Sequence, residues 1–218
     1  MSAELINIGI LGGSFDPIHF GHIKPSISLA EQFNLQIIRL IPCKVSPFKD
    51  KTHASAQDRW NMISVVAGSS DLFVADAREL QRETPSYTYL SLRELADEYA
   101  GQAKLFFIIG GDALNDLPKW YEAEKILQLC HVLVAPRQGF ELTKDPGKLQ
   151  WLKRYLCDDK SLLENSNYGH IYITDTELIE VSSTQIRQTI KSGEQPRYLL
   201  PGGVWNYIRR NQLYVNAL

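Results

Sequence analysis

An α/β fold, built as a doubly wound parallel sheet with helices on both faces, is what this sequence predicts. Three observations carry that expectation. Strand-length apolar runs alternate with segments of helical period, two of the runs end in Gly-Gly, and 218 residues at 44% hydrophobic suffice for one large core. Leu5 to Leu11 is β-rich and ends in Gly12-Gly13, a strand running into a turn. After it Ile23, Ile27, Ala30 and Phe33 recur at helical spacing, and Leu35 to Ile41 is a second apolar strand stopped by Pro42. A polar loop and a helix from about Ala56 to Ala67 follow. Leu72 to Ala75 is a short strand, and Ser86 to Tyr99 reads as a helix turning Leu90, Leu92, Leu95 and Ala96 inward. Lys104 to Ile109 is a strand ending in Gly110-Gly111, and a helix near Tyr121 to Leu129 leads to the strand His131 to Ala135. Gly139 to Tyr168 is polar and less periodic, an excursion with one helix around Leu149 to Leu156. Ile171 to Thr174 returns as a strand, and Ser183 to Lys191 and Val204 to Asn211 close as helices. With no repeat, low-complexity tract or linker, residues 1–218 are expected to form a single domain.

Composition excludes several functional classes. The formal net charge is −2, so no global basic field draws the chain to nucleic acid or anionic lipid, and any phosphate must be held locally. Cys43, Cys130 and Cys157 are odd in number, far apart and without a C-x-x-C pair. Neither a disulfide framework nor a zinc knuckle follows from them, and reduced thiols are expected. The N-terminus lacks the basic flank and cleavage site of a signal peptide, and no run reaches the roughly 18 apolar residues of a membrane helix. A cytoplasmic protein is the expectation.

The most informative segment is Gly12-Gly-Ser-Phe-Asp-Pro-Ile-His-Phe-Gly-His22, between the first strand and the first helix. Doubly wound sheets put their ligands there, where glycines let backbone approach a phosphate and a helix N-terminus offers unpaired amides. The segment is neither G-x-G-x-x-G nor a P-loop. Pro25, tolerated in a first turn but not in a helix interior, sets the helix start near Gly21-His22. His19 and His22 could then both donate to phosphoryl oxygens. The duller alternative is a pair of turn histidines capping the helix. No third ligand with suitable spacing accompanies them, so no metal site is expected.

This stretch resembles the signature of the nucleotidyltransferase superfamily that includes adenylyltransferases and some aminoacyl-tRNA synthetases. The resemblance implies a Rossmann-like fold and ATP binding at Gly12, Gly13, Ser14, Phe15, His19 and His22. A second stretch, Val181-Ser-Ser-Thr-Gln-Ile-Arg187, contains an S-x-x-Q capping box from Ser182 to Gln185, which opens a helix. Capping does not account for Arg187, whose planar fork suits polyphosphate oxygens. The stretch is similar to the superfamily's Ile-Ser-x-Thr-x-Ile-Arg signature. The likeness implies β- and γ-phosphate binding by Arg187 with Ser182 and Thr184, and catalytic roles for His19, His22 and Arg187.

Between the two motifs the chain resembles bacterial nicotinate mononucleotide adenylyltransferases over nearly its whole length. Thr84-Pro-Ser-Tyr-Thr88, Ile109-Gly-Gly-Asp-Ala-Leu114, Pro118-Lys-Trp-Tyr121 and Pro136-Arg-Gln-Gly139 carry that likeness. It implies acceptor contacts at Thr88, Asp112, Trp120, Tyr121 and Arg137, with Trp120 stacked on the pyridine. Backbone amides around Trp120-Tyr121, at the start of the next helix, are candidate donors to the nicotinate carboxylate. Each residue has a plainer alternative: Asp112 as a helix cap, Trp120 as core, Arg137 as a solvated charge. In Pro42-Cys-Lys-Val-Ser-Pro-Phe-Lys49, Lys49 is a phosphate candidate, while Ser46 and Phe48 replace a proline and a histidine of the family pattern. Gln138 likewise replaces a proline.

The implied reaction joins ATP and nicotinate mononucleotide, with Mg²⁺ arriving mainly on the nucleotide. The acceptor phosphate is already anionic, so positioning and charge stabilisation matter more than a general base. Pantetheine phosphate or nicotinamide mononucleotide are rival acceptors. A non-catalytic dinucleotide-binding regulator would not need donors on a leaving pyrophosphate, and an oxidoreductase would need the absent G-x-G-x-x-G loop. Homo-oligomerisation is left open.

Overall fold

The computed structural model describes residues 5–44, 52–137, 139–176 and 180–215. Its strands are β1 (Ile6–Gly13), β2 (Ile37–Pro42), β3 (Phe73–Ala75), β4 (Ala103–Gly110), β5 (His131–Ala135), β6 (Leu156–Cys157) and β7 (Ile171–Ile173). Its helices are α1 (Phe20–Phe33), α2 (Ala56–Ala67), α3 (Arg78–Gln81), α4 (Thr88–Tyr99), α5 (Gly111–Asp116), α6 (Ala123–Leu127), α7 (Pro146–Lys153), α8 (Ser161–Asn165), α9 (Ser183–Lys191) and α10 (Gly202–Arg210). Among the described residues the strands form one seven-stranded sheet in the order β3-β2-β1-β4-β5-β7-β6. Every neighbouring pair is parallel. No helix among these residues is long and apolar enough to cross a membrane.

The strands are apolar on both faces because both faces are covered. In β4, Phe106 and Ile108 pack into one core with residues of α1, α2, α9 and α10. Leu105, Phe107 and Ile109 pack into a second core with residues of α4, α5, α6 and α7. The chain runs outward from β1 through β2 to β3, then returns to set β4 on the other side of β1. That reversal opens a crevice beyond the carboxyl ends of β1 and β4, and both strands end in glycine.

The structure departs from the expected elements where side chains compete for one face. In α1, Ser26 and Leu29 turn inward while Ile27 is exposed, so the apolar stripe is rotated from its expected line. The helix begins at Phe20, earlier than Pro25 suggested; Pro25 lies beyond the first turn, where it removes the donor for the Gly21 carbonyl. In α4, Ser91 is buried and Leu90 only half-buried, because the Ser91 hydroxyl donates to the Glu79 carboxylate at 2.7 Å. The helix expected near Tyr121 to Leu129 is shorter, spanning α6 alone. The helix expected over Leu149 to Leu156 starts instead at Pro146, with Asp145 accepting from the Lys148 amide at 2.9 Å. Leu156 is withdrawn from it to pair with Ile171 in the edge strand β6.

Candidate active site

β1 delivers Gly12 and Gly13 to the crevice, and the loop that follows is held from behind by side chains from two distant helices. Arg59 of α2, itself 1% exposed, donates through Nη1 to the Ser14 carbonyl at 2.8 Å. Arg187 of α9 donates through Nη1 to the Asp16 carbonyl at 2.7 Å, and the Ser183 hydroxyl donates to the Pro17 carbonyl at 3.0 Å. Three acceptors of the loop are thereby engaged on the protein side. Phe15 sits in the left-handed region at φ 48, a conformation that costs a non-glycine residue of order 1 kcal/mol and persists only where the surroundings over-determine it. Its ring is buried in the core and meets His22 edge-on with centroids 5.3 Å apart.

The Asp16 side chain is also buried, and it gathers the chain around this loop. Its carboxylate accepts from the amides of His53 at 2.7 Å and Ala54 at 3.0 Å and from the Tyr214 hydroxyl at 2.8 Å. Arg187 Nη1 lies 4.0 Å from Oδ2.

His19 occupies the N-cap position of α1, and His22 is the third residue of the helix. The His19 amide donates to His22 Nδ1 at 3.3 Å, so in neutral His22 the proton sits on Nε2, which makes that nitrogen the donor. The two rings stack with centroids 3.8 Å apart. Gly21 between them is required by close approach: a Cβ there would lie 3.0 Å from the His19 ring and 3.0 Å from the Val181 carbonyl. His19 is 4% exposed, and burial first, then the Arg137 guanidinium, push its pKa down to about 4. It is therefore uncharged near neutral pH. Its Nδ1 finds no hydrogen-bond partner among the described residues, the kind of orphan that a ligand can satisfy.

The second motif opens α9 as its capping pattern predicts, with Ser182 accepting from the Gln185 amide at 3.1 Å. Arg187 Nη2 donates to Thr184 Oγ1 at 3.3 Å. The structure thus brings His19, His22, Arg187 and the Ser182 to Thr184 turn to one crevice, although Asp16 and Arg187 are 171 positions apart.

Beyond the end of β4 lies a pocket of about 220 Å³ lined by Gly111, Asp112, Arg137, Gly139 and Phe140. The Phe140 ring packs so closely on Gly111 that a Cβ there would come within 2.3 Å of it. Asp112 is exposed and does not cap α5, whose N-cap position belongs to Gly110. Thr88 is the first residue of α4. Trp120 is half-buried, edge-on to Phe107 at 6.0 Å, and Tyr121 is 49% exposed with its ring 4.7 Å from Tyr87. The expected amide donors need correction. The Trp120 N–H is already given to the Leu117 carbonyl at 3.0 Å, and the next helix starts only at Ala123. Lys49, with Ser46 and Phe48, lies outside the described residues, as does Gln138.

Several contributors were missed in the sequence. Asp16 stood inside the first motif, yet only its burial and three donors reveal what it does. Arg59 is a charge on α2 that no sequence pattern marks as buried. Tyr214 and Phe140 carry no motif.

Nucleotidyltransferases of the doubly wound class work at such a switch point with donors aimed at polyphosphate, and that is the class this fold and site define. A family model described as cytidylyltransferase-like matches residues 10–189. Relatives named "Probable nicotinate-nucleotide adenylyltransferase" from Yersinia enterocolitica and Serratia proteamaculans are 41% and 39% identical over 206 residues, covering 94% of this chain and 94% of each relative. Solved structures of Plasmodium falciparum nicotinic acid mononucleotide adenylyltransferase, complexed with NaAD and with APC, match with TM-scores of 0.68 and 0.66. They are 19% identical and cover 96% of this chain and 97% of theirs, a likeness of fold. The chain belongs to the cytidylyltransferase-like family and, within it, to the nicotinate-nucleotide adenylyltransferases.

Proposed function

We propose that this nucleotidyltransferase joins ATP and nicotinate mononucleotide to give nicotinate adenine dinucleotide and pyrophosphate. A phosphate oxygen of the acceptor attacks the α-phosphorus of ATP, the bond from that phosphorus to the bridging oxygen breaks, and pyrophosphate leaves with the bond's electrons. The observation that carries this reading is the convergence of Arg187 and His22 on the Asp16 loop at the end of β1. His22 would donate from Nε2 to oxygens gaining charge at the α-phosphorus, and Arg187, with Ser182 and Thr184, would hold the departing phosphates. Gly12, Gly13 and Ser14 would let the triphosphate lie close to the loop, with the Phe15 backbone beside it. Neutral His19 would accompany them as a second imidazole. Mg²⁺ would come as part of the ATP complex. Among the described residues no group of three His, Cys, Asp or Glu is placed to hold a metal ion.

Thr88, Asp112, Trp120, Tyr121 and Arg137 would receive the acceptor, with Lys49 from the loop after β2. Purified protein with ATP, Mg²⁺ and nicotinate mononucleotide is expected to release pyrophosphate and form a dinucleotide resolved by chromatography. Parallel reactions with pantetheine phosphate and nicotinamide mononucleotide identify the acceptor, and silence with all three in folded protein would leave a binding module as the better reading.

Trp120 offers a sharper test of the acceptor side. An indole stacked on a pyridinium ring should contribute about 1–3 kcal/mol, as base–aromatic stacking does. Trp120→Ala is therefore expected to raise the acceptor KM by about five- to a hundredfold while the ATP KM stays put. A fall in Tm with an unchanged acceptor KM would make Trp120 a core residue packed on Phe107.

A further inference from the structure

The Asp16 carboxylate has a partner from outside both motifs. Tyr214 follows α10, is 6% exposed, and packs in the core shared by α2, α9 and α10. Its hydroxyl ends on Asp16 Oδ1 at 2.8 Å. The backbone that brings it there is unusual, for Gln212 and Tyr214 both lie in the left-handed region, at φ 51 and φ 66. Such conformations persist in non-glycine residues only where surrounding contacts fix them. The Leu213 amide, donating to the Ile208 carbonyl at 3.1 Å, ties this turn back to α10. Burial first, and the Asp16 charge next, push the Tyr214 phenol well above its usual range, so it is a donor throughout the working pH range.

The two oxygens of Asp16 divide their work. Oδ2 accepts from the His53 amide and faces Arg187 Nη1 at 4.0 Å, while Oδ1 accepts from the Ala54 amide and from Tyr214. Arg187 Nη1 meanwhile binds the Asp16 carbonyl at 2.7 Å rather than the carboxylate. A carboxylate that accepts three neutral hydrogen bonds competes less for a guanidinium than one left short of a donor.

We propose that Tyr214 is a positioning residue for the nucleotide site: by satisfying Asp16 it keeps Arg187 on the loop carbonyl and Thr184, with the rest of the guanidinium turned to polyphosphate. The proposal rests on the reading of Arg187 as a ligand of the ATP phosphates. Tyr214→Phe removes one hydroxyl and little volume, so Asp16 loses a donor and draws Arg187 towards itself.

The test compares Tyr214→Phe, Arg187→Ala and the double variant, each checked for folding by circular dichroism. Tyr214→Phe is expected to raise the ATP KM about three- to tenfold with the nicotinate mononucleotide KM within about twofold, the scale of one hydrogen bond's net contribution. In the Arg187→Ala background the same change should add nothing, since the residue it acts through is gone. Tyr214→Phe that lowers Tm without touching either KM, or raises both equally, makes Tyr214 a structural anchor and overturns the proposal. If Arg187→Ala weakens ATP use and Tyr214→Phe does not, only the role of Tyr214 falls. If Arg187→Ala leaves the ATP KM unchanged, the reading of Arg187 falls, and the proposal falls with it.

Discussion

Replacing His22 with alanine is expected to lower kcat by about 10²–10³, the usual loss for one preorganised donor to a charged transition state. The structure supplies the reasons for preorganisation. The His19 amide occupies Nδ1 and so directs the proton to Nε2, His19 stacks on one side, and the Phe15 edge closes another. The ring also sits in the first turn of α1, where the helix N-terminus adds positive potential. Losing the imidazole removes its bond to the His19 amide, which should cost of order 1 kcal/mol of stability, as helix caps do. The two effects separate cleanly in steady-state kinetics paired with thermal unfolding. Near-normal turnover with a lowered Tm would mean that His22 only closes the helix.

Arg187→Ala should weaken ATP use by about ten- to a hundredfold in KM, the range of charge-assisted hydrogen bonds, with far less change for the acceptor. Arg187→Lys should recover only part of this. A lysine can reach the Asp16 carbonyl, but a point charge cannot hold that carbonyl and also offer a fork to phosphate. Because the side chain also supports the loop, some stability loss is expected in both variants. Substrate selectivity is the deciding readout, and equal losses for both substrates would take Arg187 out of the ATP site.

Much of the sheet was legible because parallel strands buried on both faces read as continuous apolar runs, and Gly-Gly marked the ends of two of them. The grouping of His19, His22 and Arg187 at the end of β1 was legible for a different reason. Its residues lie in two short stretches, each at the start of a helix, and the loop–helix geometry is local. What could not be read is how those stretches meet. The hold of Arg59 on Ser14 depends on which way α2 is rotated against the sheet. A charge on an amphipathic helix gives no sign of that rotation. Ser91 taking the inward place from Leu90 is a similar case, since a buried hydroxyl becomes acceptable only once Glu79 is beside it. On the acceptor side, the sequence placed the start of a helix at Trp120-Tyr121, whereas a turn spends the Trp120 amide on Leu117. Short turns of that kind have no period to detect.

The three carbonyls of Ser14, Asp16 and Pro17 are secured by Arg59, Arg187 and Ser183, from segments up to 171 positions away. This has a consequence for the order in which the molecule becomes active. Loop closures over such separations come late and cannot be replaced by local structure. During synthesis β1 and its loop emerge first, with the whole Gly12 to His22 sequence, yet nothing holds those carbonyls until α2 and then α9 have docked. A nascent or partly unfolded chain would carry the Gly12 to His22 motif without the candidate site built on it. Binding of ATP would then favour only molecules in which α2 and α9 have already docked on the loop after β1, and the substrate would stabilise the fold through contacts made far along the chain.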